Sequence, residues 1–191
     1  MFKRTLVMLA AAVTVVGFTG CTTTMPEKPM ADTSAKRADL NAGADKVLAD
    51  LYKQVPGSRF MVSKAKGVLV FPNVVAAGLG VGASYGEGVL RKEDRPTAYY
   101  NTAGGSIGLI AGAQSKAVFM LFMTSESLAK FESSKGWTAG ADASVVVLNA
   151  SASAAVDTKT IQEPIVGYVL SNGGLMANAT IDGTKITKLD M

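Results

Sequence analysis

Apolar positions recur along this chain at two different periods, and the change of period divides it. Leu40, Ala44, Val47, Leu48, Leu51, Tyr52 and Val55 follow one another at three- and four-residue steps, with Lys, Asp and Asn between them. That spacing predicts an amphipathic helix beginning near Ala35 and stopped by Pro56-Gly57. A shorter helical stretch is predicted over Ser58 to Lys64. Beyond Gly67 the chain changes to short apolar runs separated by glycine and polar residues. These predict strands over Val68–Phe71, Ala77–Tyr85, Gly88–Arg91, Thr97–Asn101, Ser106–Gly112 and Ala117–Met123. A helix over Ser125 to Ser133 interrupts them, with Thr124 or Ser125 as its cap and Glu126 in its first turn. Strands resume at Ala139–Val147, Ala150–Val156, Ile165–Leu170, Leu175–Ile181 and Thr184–Leu189, with Asn172-Gly173 and Asp182-Gly183 as hairpin turns.

Many short strands with frequent turns predict an α+β fold. One or two N-terminal amphipathic helices would pack on an antiparallel, glycine-rich, strongly curled sheet or small barrel, with the helices gathered at one end. Side chains alternate along a strand, so Gly78, Gly80 and Gly82 share a face, as do Gly104, Gly108 and Gly112. A strip of glycine lets another backbone approach closely or lets the sheet bend sharply.

The first residues have a different character. Lys3 and Arg4 precede an apolar run from Leu6 to Val16, broken only by Thr14, and Gly17-Phe18-Thr19-Gly20-Cys21 follows. Charge, apolar core and small residues in that order read as a secretory signal. The run is about half the roughly 20 residues that a membrane-spanning helix needs. Cys21 is the only cysteine and stands at the expected cleavage site. The segment resembles the lipobox of bacterial lipoproteins, although Phe18 replaces the usual aliphatic residue. The resemblance implies cleavage before Cys21 and covalent acylation (palmitate and related chains) of its thiol and new amine. Several acyl chains together anchor a protein stably. Thr22, rather than Asp, follows the cysteine, which by the same resemblance implies the outer membrane, facing the periplasm. The expected organisation is a signal peptide over 1–20, a flexible tether over 21–34 and one domain over 35–191.

Removing Lys3 and Arg4 leaves 17 basic residues against 15 acidic ones, so the formal charge falls from +4 to +2. With no run of five or six like charges, a nucleic-acid partner is unsupported. Histidine is absent, which excludes histidine-dependent triads and histidine metal sites. No metal or cofactor is expected. Gly78-Leu79-Gly80-Val81-Gly82-Ala83 has the spacing of a dinucleotide loop, but Ser84-Tyr85-Gly86-Glu87-Gly88 cannot supply the helix which that loop requires. Ser127 and Lys130 have the S-x-x-K spacing of penicillin-recognising enzymes, without the accompanying Ser-Asp-Asn and Lys-Thr-Gly elements. They read as the solvated face of a short helix. Glu93-Asp94 reads as a solvated hairpin tip, and Asp142 as a buried structural hydrogen bond.

Several segments carry a family resemblance. Lys64-Ala65-Lys66-Gly67-Val68-Leu69-Val70-Phe71-Pro72 and the stretch from Ala77-Gly78 to Val89-Leu90 look like the opening of a SYLF domain. Gly104-Gly105-Ser106-Ile107-Gly108, Ala111-Gly112-Ala113-Gln114-Ser115 and Gly136-Trp137-Thr138-Ala139-Gly140-Ala141-Asp142-Ala143-Ser144 are similar to its middle. Gly167-Tyr168, Gly173-Gly174-Leu175 and Asp182-Gly183 are similar to its end, with Met176-Ala177-Asn178-Ala179 in place of the usual Phe-Ala-Gly segment. The resemblance runs over residues 36 to 189 and implies a non-catalytic lipid-binding module. Eukaryotic members bind phosphoinositides, and some bind actin; neither is an expected partner in a periplasm, so affinity for anionic phospholipid is the part that transfers. The residues themselves suggest a basic rim for such a lipid: Lys64 and Lys66 before the first strand, Arg91, Lys92 and Arg95 at the charged hairpin, and Lys116. Two other readings stay open, an envelope scaffold that recruits a protein partner and a hydrolase working with carboxylates alone.

Overall fold

The computed structural model describes residues 30–148, 162–171, 174–175, 181 and 183–191. The signal segment, Cys21, the chain up to residue 29, the strand expected at 150–156 and the Asn172-Gly173 turn lie outside the described residues, as do Met176–Ala179 and Asp182. The elements are α1 (Met30–Gln54), α2 (Ser58–Lys64), β1 (Gly67–Lys92), β2 (Arg95–Phe122) and α3 (Ser125–Ser133). Then come β3 (Trp137–Thr138), β4 (Val146–Leu148), β5 (Ile165–Ser171), β6 (Gly174–Leu175) and β7 (Lys185–Leu189). The helices follow the apolar periodicity. α2 and α3 have the expected bounds, and Thr124 caps α3 by accepting a hydrogen bond from Ser127 N at 3.1 Å. α1 begins at Met30, so Met30–Ser34 belong to the helix rather than to a tether.

The strands depart further from expectation. Six short strands between residues 68 and 123 are in fact two, of 26 and 28 residues, paired along their whole length. Glycine and proline interrupt the apolar runs, but the ladder continues past them through irregularities at Phe71/Val74, Leu79/Val81 and Leu90/Arg91. The two strands join through Glu93 and Asp94, whose φ angles of 50° and 60° are those of a two-residue hairpin turn. Halfway along, the ribbon doubles back. A Cβ on Gly78 would lie 2.4 Å from Gly82 Cα and 2.5 Å from the Val81 carbonyl oxygen. Only residues without side chains tolerate so close a turn of strand on itself.

The bend makes two wings. In one, residues 116–122 of β2 pair with β5, and β5 pairs with β4 and β6; in the other, residues 99–103 pair with β7, which pairs with β3. The β4–β5 pairing is parallel, so the sheet is mixed rather than antiparallel. It curls into a half-barrel. The region expected as a strand over Ala139–Val147 is broken by a turn at Gly140, φ 83°, before β4.

Both faces of the sheet are covered, which explains why Val68–Phe71, Ala117–Met123 and Ile165–Leu170 are continuous apolar runs. Val68, Val70, Phe119, Leu121, Val166 and Tyr168 point outward, to Ala44, Leu48, Leu51, Met61 and Val62 of α1 and α2. Leu69, Phe71, Val118, Met120, Ile165 and Val169 point into the curl, where they meet Leu90, Tyr100, Trp137 and Ile186, together with Leu128 and Phe131 of α3. The helices are therefore not gathered at one end: α1 lies on the outer face and α3 closes the inner one. Inside the curl, the space lined by Phe71, Thr102, Val118 and Met120 is about 20 Å³, room for one water and not for an acyl chain.

Two buried phenols give the fold a pH limit. Burial pushes Tyr168 up to about 12, and burial together with the charge of Glu132 pushes Tyr100 up to about 12. The unfolded chain loses these protons near pH 10 while the folded one keeps them, so stability is intact below pH 10 and falls as pH rises towards 12. A loss of about 1 kcal/mol per tyrosine by pH 11 is expected. Tyr168 Oη has no hydrogen-bond partner, so Tyr168→Phe should leave neutral-pH stability unchanged or slightly higher and flatten the alkaline decline in chemical denaturation.

Candidate functional site

α2 is held by its own small residues. Ser58 Oγ donates to the carbonyl oxygens of Val55 and Leu51 at 2.7 and 3.2 Å, tying the helix to the end of α1. Met61 and Val62 are buried beneath it, which turns Arg59, Phe60, Ser63 and Lys64 to solvent. Phe60 is 49% exposed, an unusual position for a phenyl ring on a short surface helix. The Lys64 ammonium stands 5.4 Å from the centre of that ring, and the Arg59 guanidinium covers Tyr52 at 4.3 Å.

Beside this face lies a hollow of about 280 Å³. Lys64 and Lys66 line it, together with Glu93 and Asp94 of the hairpin turn. Leu48, Val62 and Val68 give it an apolar back, and Arg91 lines it as well. The fold thus brings Lys64, Lys66 and Arg91 together from residues far apart in sequence.

Arg91 and the remaining cations of the expected rim are held by other parts of the fold. Arg91 is 8% exposed and docks α1 on the sheet: Nη1 donates to Asp45 Oδ1 at 2.6 Å and Nη2 to the Asn41 carbonyl oxygen at 3.0 Å. It shares a strand face with Val89 and with Glu87, which accepts from Lys36 Nζ at 2.6 Å. Lys92 is half-buried and pairs with Glu132 at 2.7 Å. Arg95 is exposed directly across the turn from Lys92. Lys116 sits apart, half-buried beside Asp50 and Gln54 of α1, and desolvation lowers its pKa. Arg59 and Phe60 were missed by the charge-based reading. Their signal was present, because Met61 and Val62 fix the buried side of α2 and so turn Phe60 out.

The motifs set aside on spacing have structural roles here. Ser127 Oγ donates to the carbonyl oxygens of Thr124 and Pro164, and Lys130 Nζ donates to the Asp142 carbonyl oxygen. Asp142 is exposed, not buried, and lies in a turn rather than a strand, where its Oδ2 accepts from Thr138 N at 2.6 Å. Gly78–Ala83 runs within β1 and opens no helix. Glu93 and Asp94 share a hollow, yet both are exposed neighbours in a turn. Among the described residues no three Cys, Asp or Glu side chains group as metal ligands, and no helix is long and apolar enough to cross a membrane.

Residues 103–190 match the family model described as Las17-binding protein actin regulator, Ysc84, which supports a SYLF domain in this part of the chain. The match takes in β2 from Ala103 onward and everything to β7; α1, α2 and β1 precede it. No curated protein matches the chain.

Proposed function

We propose that this chain is a lipid-anchored envelope protein, acylated at Cys21, whose domain holds the surface of an anionic phospholipid membrane without catalysing a reaction. The observation that carries the reading is the outer face of α2, where exposed Phe60 is flanked by Arg59 and Lys64, with Lys66 just beyond. An aromatic ring among cations suits the boundary between head groups and acyl chains: the ring enters the apolar edge while the ammonium groups stay with phosphates. The family match adds support, since that family is lipid-binding and actin-regulator-like.

The anchor limits the pose. α1 has 25 residues and so measures about 37 Å, with α2 at its far end. Only Thr22–Pro29 separate Cys21 from α1, a reach of about 30 Å at most. For Cys21 and Phe60 to meet one bilayer, α1 must incline towards the surface instead of standing upright on it.

Vesicle co-sedimentation tests the reading with a chain begun at Thr22, which has no acyl group. Binding should be strengthened by anionic lipid and weaken with salt. Lys64→Gln with Lys66→Gln should lower it about 30-fold at low salt, at about 1 kcal/mol per cation. Equal pelleting of wild type and double variant, or none on anionic vesicles, contradicts it. A scaffold reading draws on a second feature, an open hollow of about 530 Å³ beside exposed Val75 and Tyr85. A stoichiometric protein partner lost on Tyr85→Asp would favour it.

A further inference from the structure

The hollow beside α2 is lined by both signs of charge, and this says more than a basic patch would. We infer that it is a binding site for a compact zwitterion, a phosphate joined to a primary ammonium, as in a phosphoethanolamine head group. The inference rests on the membrane reading above and adds to its anionic surface a zwitterionic head group.

Lys64, Lys66, Glu93 and Asp94 line one hollow of about 280 Å³, and no ion pair within 4.0 Å joins the lysines to the carboxylates. Opposite charges that line one hollow without touching leave a gap in which a dipolar ligand can meet both. The lysine ammonium groups can donate to a phosphate, and a primary ammonium brings three donors to the two carboxylates. Arg91 adds a fixed positive charge to the wall. It is buried, its Nε has no hydrogen-bond partner, and its other nitrogens are held by Asp45 and Asn41.

The lining also selects the amine. A quaternary ammonium is recognised by aromatic faces, and no aromatic side chain lines this hollow. The rings of Phe60 and Tyr52, on α2 and α1, are already covered by Lys64 and Arg59. Its volume is slightly below the 300–1,000 Å³ or so typical of drug-sized ligands, which suits a small polar group. The acidic pair sits in the turn with both φ angles positive, conformations usually left to Asn and Gly. Carboxylates are thus held in the turn at a backbone cost, beside the hollow that the lysines also line.

The test uses the full acylated chain in neutral detergent, titrated calorimetrically with soluble probes. O-phosphoethanolamine should bind at least tenfold more tightly than inorganic phosphate, ethanolamine or phosphocholine. Glu93→Gln with Asp94→Asn should remove that preference while leaving phosphate binding unchanged or stronger. Lys64→Gln with Lys66→Gln should abolish binding of both phosphate-bearing probes. All four positions are exposed, and unchanged melting curves would show that the variants fold. Competition by phosphatidylethanolamine vesicles, but not phosphatidylcholine vesicles, would identify the source as a lipid; binding of the soluble probe without such competition would identify a free phospho-amine. Equal affinity for phosphate and phosphoethanolamine, or no binding of either, overturns the site. Pelleting on anionic vesicles would survive that outcome, so the two readings fail separately.

Discussion

A single added methyl group at Gly88 should cost the protein about 3 kcal/mol or more. A Cβ there would stand 2.3 Å from the Val70 carbonyl oxygen and 2.6 Å from Phe71 Cδ1. The first contact is with backbone, in the opposite wing of the same strand, so no rotamer change relieves it. Overpacking a well-filled core usually costs about 1–3 kcal/mol, and contacts that move backbone lie at or beyond the top of that range. For a domain of this size that is a fall in Tm of roughly 6–12 °C. Gly86 makes the same kind of approach one step earlier, 2.9 Å from the Asn73 carbonyl oxygen, so the wings cannot slide to accommodate Gly88→Ala. Gly105→Ala is the control: a Cβ there meets nothing within 4 Å, and its melting temperature should stay within about 2 °C of wild type. If Gly88→Ala melted like Gly105→Ala in circular dichroism, the two wings could not be packed as described.

The sequence was most legible where local rules decide the outcome. α2 and α3 were readable because a Pro-Gly pair, a Thr cap and a three-to-four spacing act within a few residues. The length of β1 and β2 was not, because glycine marks strand ends and strand bends alike, and only tertiary pairing separates the two. The parallel β4–β5 contact depends on a long connection and leaves no periodic trace. At the candidate site, Lys64 and Lys66 were found by charge and are exposed. Arg91 was grouped with them because it borders a charged turn, yet its alternation with Val89 places it on the face that receives α1. Strand parity along β1, with Val89 and Arg91 two residues apart, carried that information. The hollow itself was not legible, since it needs α2 and the tip of a 26-residue strand side by side.

Phe131→Ala should have the second large effect, about 4 kcal/mol, and it tests the inner core as Gly88→Ala tests the approach of the wings. Phe131 is 1% exposed on α3 and touches three other rings. Tyr100, from the wing that pairs with β7, lies 4.9 Å away; Phe122, from the wing that pairs with β5, lies 4.7 Å away; Trp137 of β3 meets it edge-on at 5.6 Å. One side chain thus joins both wings to the helix that closes them. Phe→Ala in a core costs about 3–5 kcal/mol, and ring pairs add about 0.5–1.5 kcal/mol each beyond buried area. Leu128 packs on the same helix face but touches Gly67 at the edge of the ribbon, so Leu128→Ala should cost less, nearer 2–3 kcal/mol. Trp137 is the only tryptophan and is buried, so its fluorescence reports on the cavity directly. A red-shifted emission before the main urea transition of Phe131→Ala, absent in wild type, is the expected sign of α3 lifting from the curl. Vesicle binding should persist in the folded variant, because α2 and the Lys64–Lys66 face rest on the opposite side of the sheet. A loss under about 1 kcal/mol would mean that the wings hold each other without α3, and the curl would then be closed by the ribbon alone.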